Sequence, residues 1–449
     1  MFSQAKHAPR TPAELLITNA TVWPVATAEP IPNGRVLIRD GRIVRVGKFQ
    51  SLAAYELDAG GGLVMPGLIQ GHVHLAQTLF RGLAEDLPLL TWLRRYIWPL
   101  EAAHDSDSLY ASALLGCAEL LRGGVTAFLS METTRHTGAV FAAAEQSGLM
   151  GSIGHCLMDE TGNYPPLAVP LDDALADCDL LLDKLRGHDR LRLAIAPRFA
   201  LSCAPDLLRE AAAFAREHKL RLHTHASEQE QEVRLVKKLT GRGNIEFLHE
   251  IGLTGPDVAL AHCVHATRAE WELLAATQTS VLHCPTTNLK LGSGLAPIPE
   301  LLARGINIAL GSDGAACNNR LDLFQEMRLA ALLQKPVRGP EAMPAATVVR
   351  LATEGGARAL GWEAEMGTLE EGKRANLIIV SPDRLHVAPS TQPAANLVFA
   401  HEPGDVELTM VNGEIVYRDG QFQHFDLPQV LALAREERAK LLRRAGLAA

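Results

Sequence analysis

The sequence predicts an α/β fold: a closed (β/α)8 TIM barrel with a small β-sandwich domain formed by the N- and C-terminal segments. Three observations predict it. Short apolar runs alternate with longer helical patterns through the middle of the chain. Hairpin texture is confined to the two ends. The apolar runs end in His, Glu or Asp, at the strand ends where a parallel barrel carries its chemistry.

The elements follow in chain order. Residues 1–12 are polar, contain two prolines and read as a loose tail. LLITNATVWPV and RVLIRDGRIVRVG are β-rich, and Asp40-Gly41 marks a hairpin in the second. From residue 64, LVMPGLIQGHVH reads as one buried strand running into His72 and His74. Further runs are TAFLS (126–130), GSIGHCL (151–157), LRLAIAP (191–197), LRLHTHA (220–226), VALAHC (258–263), TSVLHC (279–284) and INIALGSD (306–313). Helical patterns such as LYASALLGCAELLRGG and PDLLREAAAFAREHKL separate them. About eight such units over some 300 residues favour a closed barrel over an open sheet. GTLEEGKRANLIIV and ELTMVNGEIVYRDGQF restore the hairpin pattern, with Asn412-Gly413 at a turn. The expected division is 1–63 and 367–427 for the β domain, 64–366 for the barrel and 428–449 for a terminal helix.

Composition narrows the function. The chain has 449 residues, 47% of them hydrophobic, which is ample for a large core. A net charge of −8 leaves no basic footprint for nucleic acid, so a small-molecule substrate is expected instead. The seven cysteines are odd in number, scattered and free of any CxxC, against both disulfide frameworks and cysteine zinc sites. No signal peptide opens the sequence, and no apolar run approaches the ~18 residues of a membrane helix. A cytoplasmic protein with no membrane partner is expected.

The strand ends carry the chemistry. Residues i and i+2 of a strand point to one side, so His72 and His74 can face the barrel axis together. Later runs end at His225-Ala226-Ser227-Glu228, His262, His283 and Asp313. Singly, a His-x-His is commonly incidental, His262 reads as a satisfied histidine near the core, and Asp313 reads as a turn or cap residue. Jointly, accident would have to recur at every strand end. Neutral imidazoles with one carboxylate suit a divalent ion of the zinc or iron type, which makes hydroxide available near neutral pH.

PGLIQGHVH, HASE, AHCVH, NLKLGSG and GSDGAACNN, in this order, resemble the amidohydrolase superfamily. The closer resemblance is to its branch of cytosine, guanine and S-adenosylhomocysteine deaminases with triazine hydrolases, and it covers essentially the whole chain. It implies one divalent metal on His72, His74, His225 and Asp313, zinc first, with iron or manganese also accommodated. It implies that Glu228 shuttles a proton to a ring nitrogen and that His262 orients and deprotonates the attacking water. Asp313 is also expected to pass a proton from the water to the leaving amine. Related enzymes are often homo-oligomers, so a homo-oligomer is expected. Asn376 in RANLIIV departs from the usual aspartate, with no catalytic consequence expected.

Three segments bear on substrate. TLFRGLAEDLPLLTWLRRYIWPLEAAH resembles deaminases of S-adenosylhomocysteine and methylthioadenosine, in which Trp92 would line the pocket and Glu101 would hold ribose hydroxyls. The alternative is an amphipathic surface helix. NLKLGSG points the same way, with Asn288 supporting the site and His283 touching the substrate or bracing it. APRFALSC instead resembles guanine deaminases, where Arg198 would contact the purine carbonyl; its alternative is a surface ion pair. The expected reaction replaces the 6-amino group of a 5′-modified adenosine, such as S-adenosylhomocysteine, methylthioadenosine or 5′-deoxyadenosine, with a carbonyl and releases ammonia. A guanine, oxopurine or pterin deaminase is the alternative, followed by a triazine amino- or chlorohydrolase. A non-catalytic scaffold of the same fold is set aside because every expected ligand position is kept.

Overall fold

A computed structural model describes residues 14–24, 28–160 and 164–447. The tail expected at 1–12 lies outside these residues.

Eight parallel strands form the barrel: β1 (Leu68–His74), β2 (Val125–Met131), β3 (Met150–Leu157), β4 (Leu191–Pro197), β5 (Arg221–Ala226), β6 (Val258–His262), β7 (Ser280–His283) and β8 (Ile308–Leu310). Each pairs in parallel with the next. Their side chains are almost all buried, which is why they read as continuous apolar runs rather than alternating ones. Beyond β8 the chain reaches Asp313–Gly314, which pairs with β1 through Asp313↔Val73 and Gly314↔His74. That pairing closes the barrel. Gly311 makes the approach feasible: a Cβ there would lie 2.7 Å from the His72 Cβ. Gln70 fastens the same join, accepting from the Ser312 amide (2.8 Å) and donating to the Ser312 hydroxyl (2.7 Å).

The two chain ends meet in one nine-stranded sheet beside the barrel. Leu63–Pro66 lies between Glu14–Val22 and Leu377–Val380, joining N-terminal to C-terminal strands. Ile17, Val36, Val64, Leu377, Ile379 and Met410 pack into a cluster of their own. Both hairpin signals hold. Asp40-Gly41 has φ of 49° and 76°, and Asn412-Gly413 has 51° and 79°, the paired positive values of tight hairpins.

LVMPGLIQGHVH forms two strands rather than one. Pro66 has no amide to donate, and the Gly67 amide donates to Asn376 O (3.0 Å). The backbone at Gly67 also runs so close to Thr126 that a Cβ would lie 2.2 Å from its Cγ2. The chain therefore leaves the outer sheet there and enters the barrel.

After β1, Leu75–Phe80 forms a 3₁₀ helix, and residues 81–88 have no regular structure. Helical turns follow over 89–102, with a π-helical turn at Leu93–Ile97. This stretch is amphipathic, but its buried face holds Trp92, Trp98 and Glu101 as well as aliphatic residues. The final helix, Leu427–Arg444, is capped by Asp426 and reaches the helix Ser106–Arg122 through the ion pair Arg444–Asp105 (3.0 Å). No helix among the described residues is long and apolar enough to cross a membrane.

Candidate metal centre and active site

The C-terminal ends of β1, β5 and β6, with the closing pair at Asp313, bring His72, His74, His225, His262 and Asp313 together. His74 Nε2 lies 3.3 Å from His225 Nε2 and 3.2 Å from Asp313 Oδ1. His72 Nε2 lies 3.4 Å from the same oxygen. His262 Nε2 is 3.8 Å from Asp313 Oδ2 and 3.7 Å from Glu228 Oε2. Asp313 and His262 occupy the left-handed region, with φ of 62° and 73°. Such strain costs about 1–3 kcal/mol per residue and recurs at functional sites.

The outer ring nitrogens fix the tautomers. His74 Nδ1 faces Met131 O and His225 Nδ1 faces Arg198 O, both at 2.7 Å. A carbonyl only accepts, so each Nδ1 carries the proton and each Nε2 presents a lone pair inward. His262 Nδ1 donates likewise to Asn288 Oδ1 (3.0 Å). His72 Nδ1 donates to His223 Nε2 (2.8 Å), whose own Nδ1 faces Ser130 O (3.4 Å). His72 Nε2 is buried without a partner. Two imidazole lone pairs facing each other at 3.3 Å beside a carboxylate repel unless a cation lies among them. Four ligands about 2.0–2.1 Å from one ion at tetrahedral angles sit about 3.4 Å apart, and the His74–His225, His74–Asp313 and His72–Asp313 separations are close to that value. The residues fit a divalent metal, and each inner imidazole carries the outer hydrogen bond that metal-binding histidines use.

Burial sets the charges. It lowers the His72 pKa to about 4 and puts His225 well below its ordinary value. Burial would raise Asp313, but its close contacts with the His72 and His74 rings outweigh it and hold the carboxyl well below the usual range. Glu228 goes the other way: burial first, then the Asp313 charge, push it well above. The directions favour neutral His72 and His225 and an ionised Asp313, and push Glu228 towards its protonated form.

His74, Trp92, Arg198, His225, Glu228 and Asp313 line the cavity above this cluster, with Gln77 and Glu232. Glu101 lies behind Arg198. Arg198 donates through Nη1 to Glu101 Oε2 (2.5 Å) and through Nη2 to Glu101 Oε1 (3.2 Å), and Gln77 Nε2 donates to Oε1 (3.0 Å). Arg198 is 3% exposed, so its ion pair is buried rather than on the surface. Asn288 braces His262. His283 is buried at the end of β7, neither ring nitrogen has a hydrogen-bond partner, and it does not line the cavity.

Three residues escaped the sequence reading. His223 had a signal: it stands two before His225 in one strand, the spacing already used for His72 and His74. Glu232 accepts from the amides of Glu228 (2.7 Å) and Gln229 (3.3 Å) in a capping box that fixes the Glu228 turn. Gln77 had no local signal.

The chain is similar in sequence and fold to known proteins. The amidohydrolase family model matches residues 63–416. A 5-methylthioadenosine/S-adenosylhomocysteine deaminase of Syntrophobacter fumaroxidans is 40% identical over 434 residues, covering 94% of this chain and 97% of that one. A 5′-deoxyadenosine deaminase of Methanothermobacter thermautotrophicus is 40% identical over 423 residues, covering 93% and 97%. The crystal structure of an adenosine deaminase from Xanthomonas campestris with bound zinc superposes with a TM-score of 0.90 at 32% identity, covering 97% of this chain and all of that one. With the family model matched from the strand before β1 to the outer-sheet strand Glu414–Arg418, the chain belongs to the amidohydrolase family.

Proposed function

We propose that this chain is a cytoplasmic hydrolytic deaminase that converts the 6-amino group of a 5′-modified adenosine to a carbonyl and releases ammonia. The observation that carries the reading is the ring of inward ring nitrogens on His72, His74 and His225 beside the Asp313 carboxyl, with the Glu228 carboxyl at its rim. A divalent metal, zinc in this reading, would be held by His72, His74, His225 and Asp313 and would polarise the attacking water and lower its pKa.

The chain's own residues handle the protons. The water attacks C6 and gives one proton to His262 Nε2 or Asp313 Oδ2, which both face the site. Glu228 gives its proton to the adjacent ring nitrogen as charge builds there. The amine leaves with the proton that His262 or Asp313 took from the water, and the new hydroxyl returns its proton to Glu228 as the carbonyl forms. Each such transfer is typically worth 10²–10⁴ in rate.

The names of the relatives favour a 5′-modified adenosine. Glu101 would then accept a sugar hydroxyl; Arg198 and Gln77 take three of its roughly four acceptor positions and leave one. One observation favours a second reading, an oxopurine such as guanine: the arginine itself, not Glu101, lines the cavity.

The test is ammonia release by zinc-loaded protein offered S-adenosylhomocysteine, methylthioadenosine, 5′-deoxyadenosine, adenosine and guanine. Turnover of the adenosine set is expected. Turnover of guanine alone overturns the substrate reading.

A further inference from the structure

The cavity above the metal cluster is smaller than its proposed substrate. It holds about 30 Å³, against roughly 300 Å³ or more for ordinary small-molecule sites. Leu89, Trp92 and Leu93 close it from the segment after β1, Phe199 from the loop after β4, and Leu291 from the loop after β7. Entry of a nucleoside requires one of these walls to move.

Within the segment after β1, Leu89, Leu90, Trp92 and Leu93 are buried, and the stretch 81–88 before them is weakly anchored. Residues 81–88 have no regular structure, and only Ala84 among them is buried. Gly82 and Asp86 are left-handed, with φ of 75° and 57°. The helical turns behind, which carry Trp92, are interrupted by the π-helical turn at Leu93–Ile97. Few buried contacts and an irregular backbone characterise the parts of a protein that open locally.

One polar cluster fastens this segment to the neighbouring loops of the rim. Glu85 Oε2 lies 2.6 Å from Lys290 Nζ. Glu85 Oε1 accepts from Asn319 Nδ2 (3.1 Å), and Lys290 donates to Asn319 Oδ1. Lys290 ends the helix Pro285–Lys290 after β7, and Asn319 follows the closing pair at Asp313. The next residue, Leu291, is a wall of the cavity, and its carbonyl accepts from Gln229 Nε2 (2.9 Å), beside Glu228. Three adjacent loops, after β7, β8 and β1, are thus tied together at the rim by one carboxylate, one ammonium and one amide. The Lys290 hydrogen bond also holds the Glu85 carboxyl below its ordinary range.

We propose that Glu85 and Lys290 are positioning residues that latch the 81–93 segment over bound substrate, and that this latch opens and closes in every turnover. The inference rests on the proposed function only for the size of the substrate. The latch is partly exposed, with the Glu85 side chain 38% and the Lys290 side chain 23% accessible, so it is a weak catch that can open rapidly. A pair of this kind shifts an open–closed equilibrium by about fivefold at most.

The test compares Glu85→Gln, Lys290→Met and the swapped Glu85→Lys/Lys290→Glu with the wild type, all zinc-loaded and full length. Two readouts need no substrate: the rate at which metal passes to a chelator, and hydrogen exchange over 81–98. Each single variant is expected to speed metal loss roughly threefold to fivefold and to raise exchange in this segment, with the swap returning both towards wild type. With a turned-over substrate, KM rises while the single-turnover rate at saturation is kept. Wild-type metal loss and exchange in both single variants overturn the latch, as does a swap that rescues neither. Failure of every adenosine derivative to react overturns the proposed function instead, and leaves these two readouts in force.

Discussion

Arg198 holds Glu101 through both ends of its guanidinium, while its backbone carbonyl accepts from His225 Nδ1 at 2.7 Å. One residue thus supports the imidazole of a proposed metal ligand with its main chain and a buried carboxylate with its side chain. Both partners of the pair are 3% exposed. Breaking a buried pair strands a charge and costs about 3–5 kcal/mol, whereas removing both members is far cheaper. Glu101→Ala and Arg198→Ala are each expected to lower stability by that amount, and the double variant by much less than the sum. Denaturant midpoints of the metal-loaded proteins check this through a double-mutant cycle.

His223 touches no reacting group, yet it orients His72. His223→Ala is expected to weaken metal binding about 10- to 100-fold, the usual effect of losing such an outer partner. Competition with a chromophoric chelator measures it. Unchanged affinity would mean that His72 is oriented by packing alone.

The proposed role of Glu228 is to move protons rather than to hold metal. Glu228→Gln is expected to lower kcat about 10²- to 10⁴-fold while the bound metal stays at the wild-type ratio. Metal analysis alongside steady-state kinetics separates the two roles, and a loss of metal in this variant would reassign the residue.

His104 is buried, with Nε2 donating to Ala76 O (2.9 Å) and Nδ1 accepting from Ser108 (3.0 Å). Burial lowers its pKa to about 4. The unfolded chain takes up a proton near 6.5 and the folded chain does not, so stability is full above 6.5 and falls as pH drops towards 4. The loss approaches roughly 3 kcal/mol at 1.36 kcal/mol per pKa unit. His104→Gln is expected to flatten this acid limb, read as Tm against pH between 7 and 4.

What the sequence disclosed follows from the range of each interaction. His72 and His74, the run ends at His225, His262 and Asp313, and the hairpins at Asp40-Gly41 and Asn412-Gly413 are local patterns of spacing or turn chemistry. The Arg198–Glu101 pair spans 97 residues and the Gln70–Ser312 join spans 242, and no local periodicity encodes either. Arg198 and Glu101 therefore read as rival substrate signals, when they bond to each other. The break at Gly67 was hidden because both strands of LVMPGLIQGHVH are buried, so hydropathy does not change across it.

The pairing of Asp313–Gly314 with β1 gives the ring of strands a single seam, and proposed metal ligands sit on both lips of it. His72 and His74 belong to the first strand, and Asp313 follows the last. An ion gripped from both sides acts as a rivet as well as a reagent. It binds the closed ring and not the opened one, so a thousandfold excess over its dissociation constant adds about 4 kcal/mol to cohesion. Stripping the metal should therefore loosen the molecule first along β8 and β1, the two strands farthest apart in the barrel's sequence, while the interior strands β3 to β6 keep their protection.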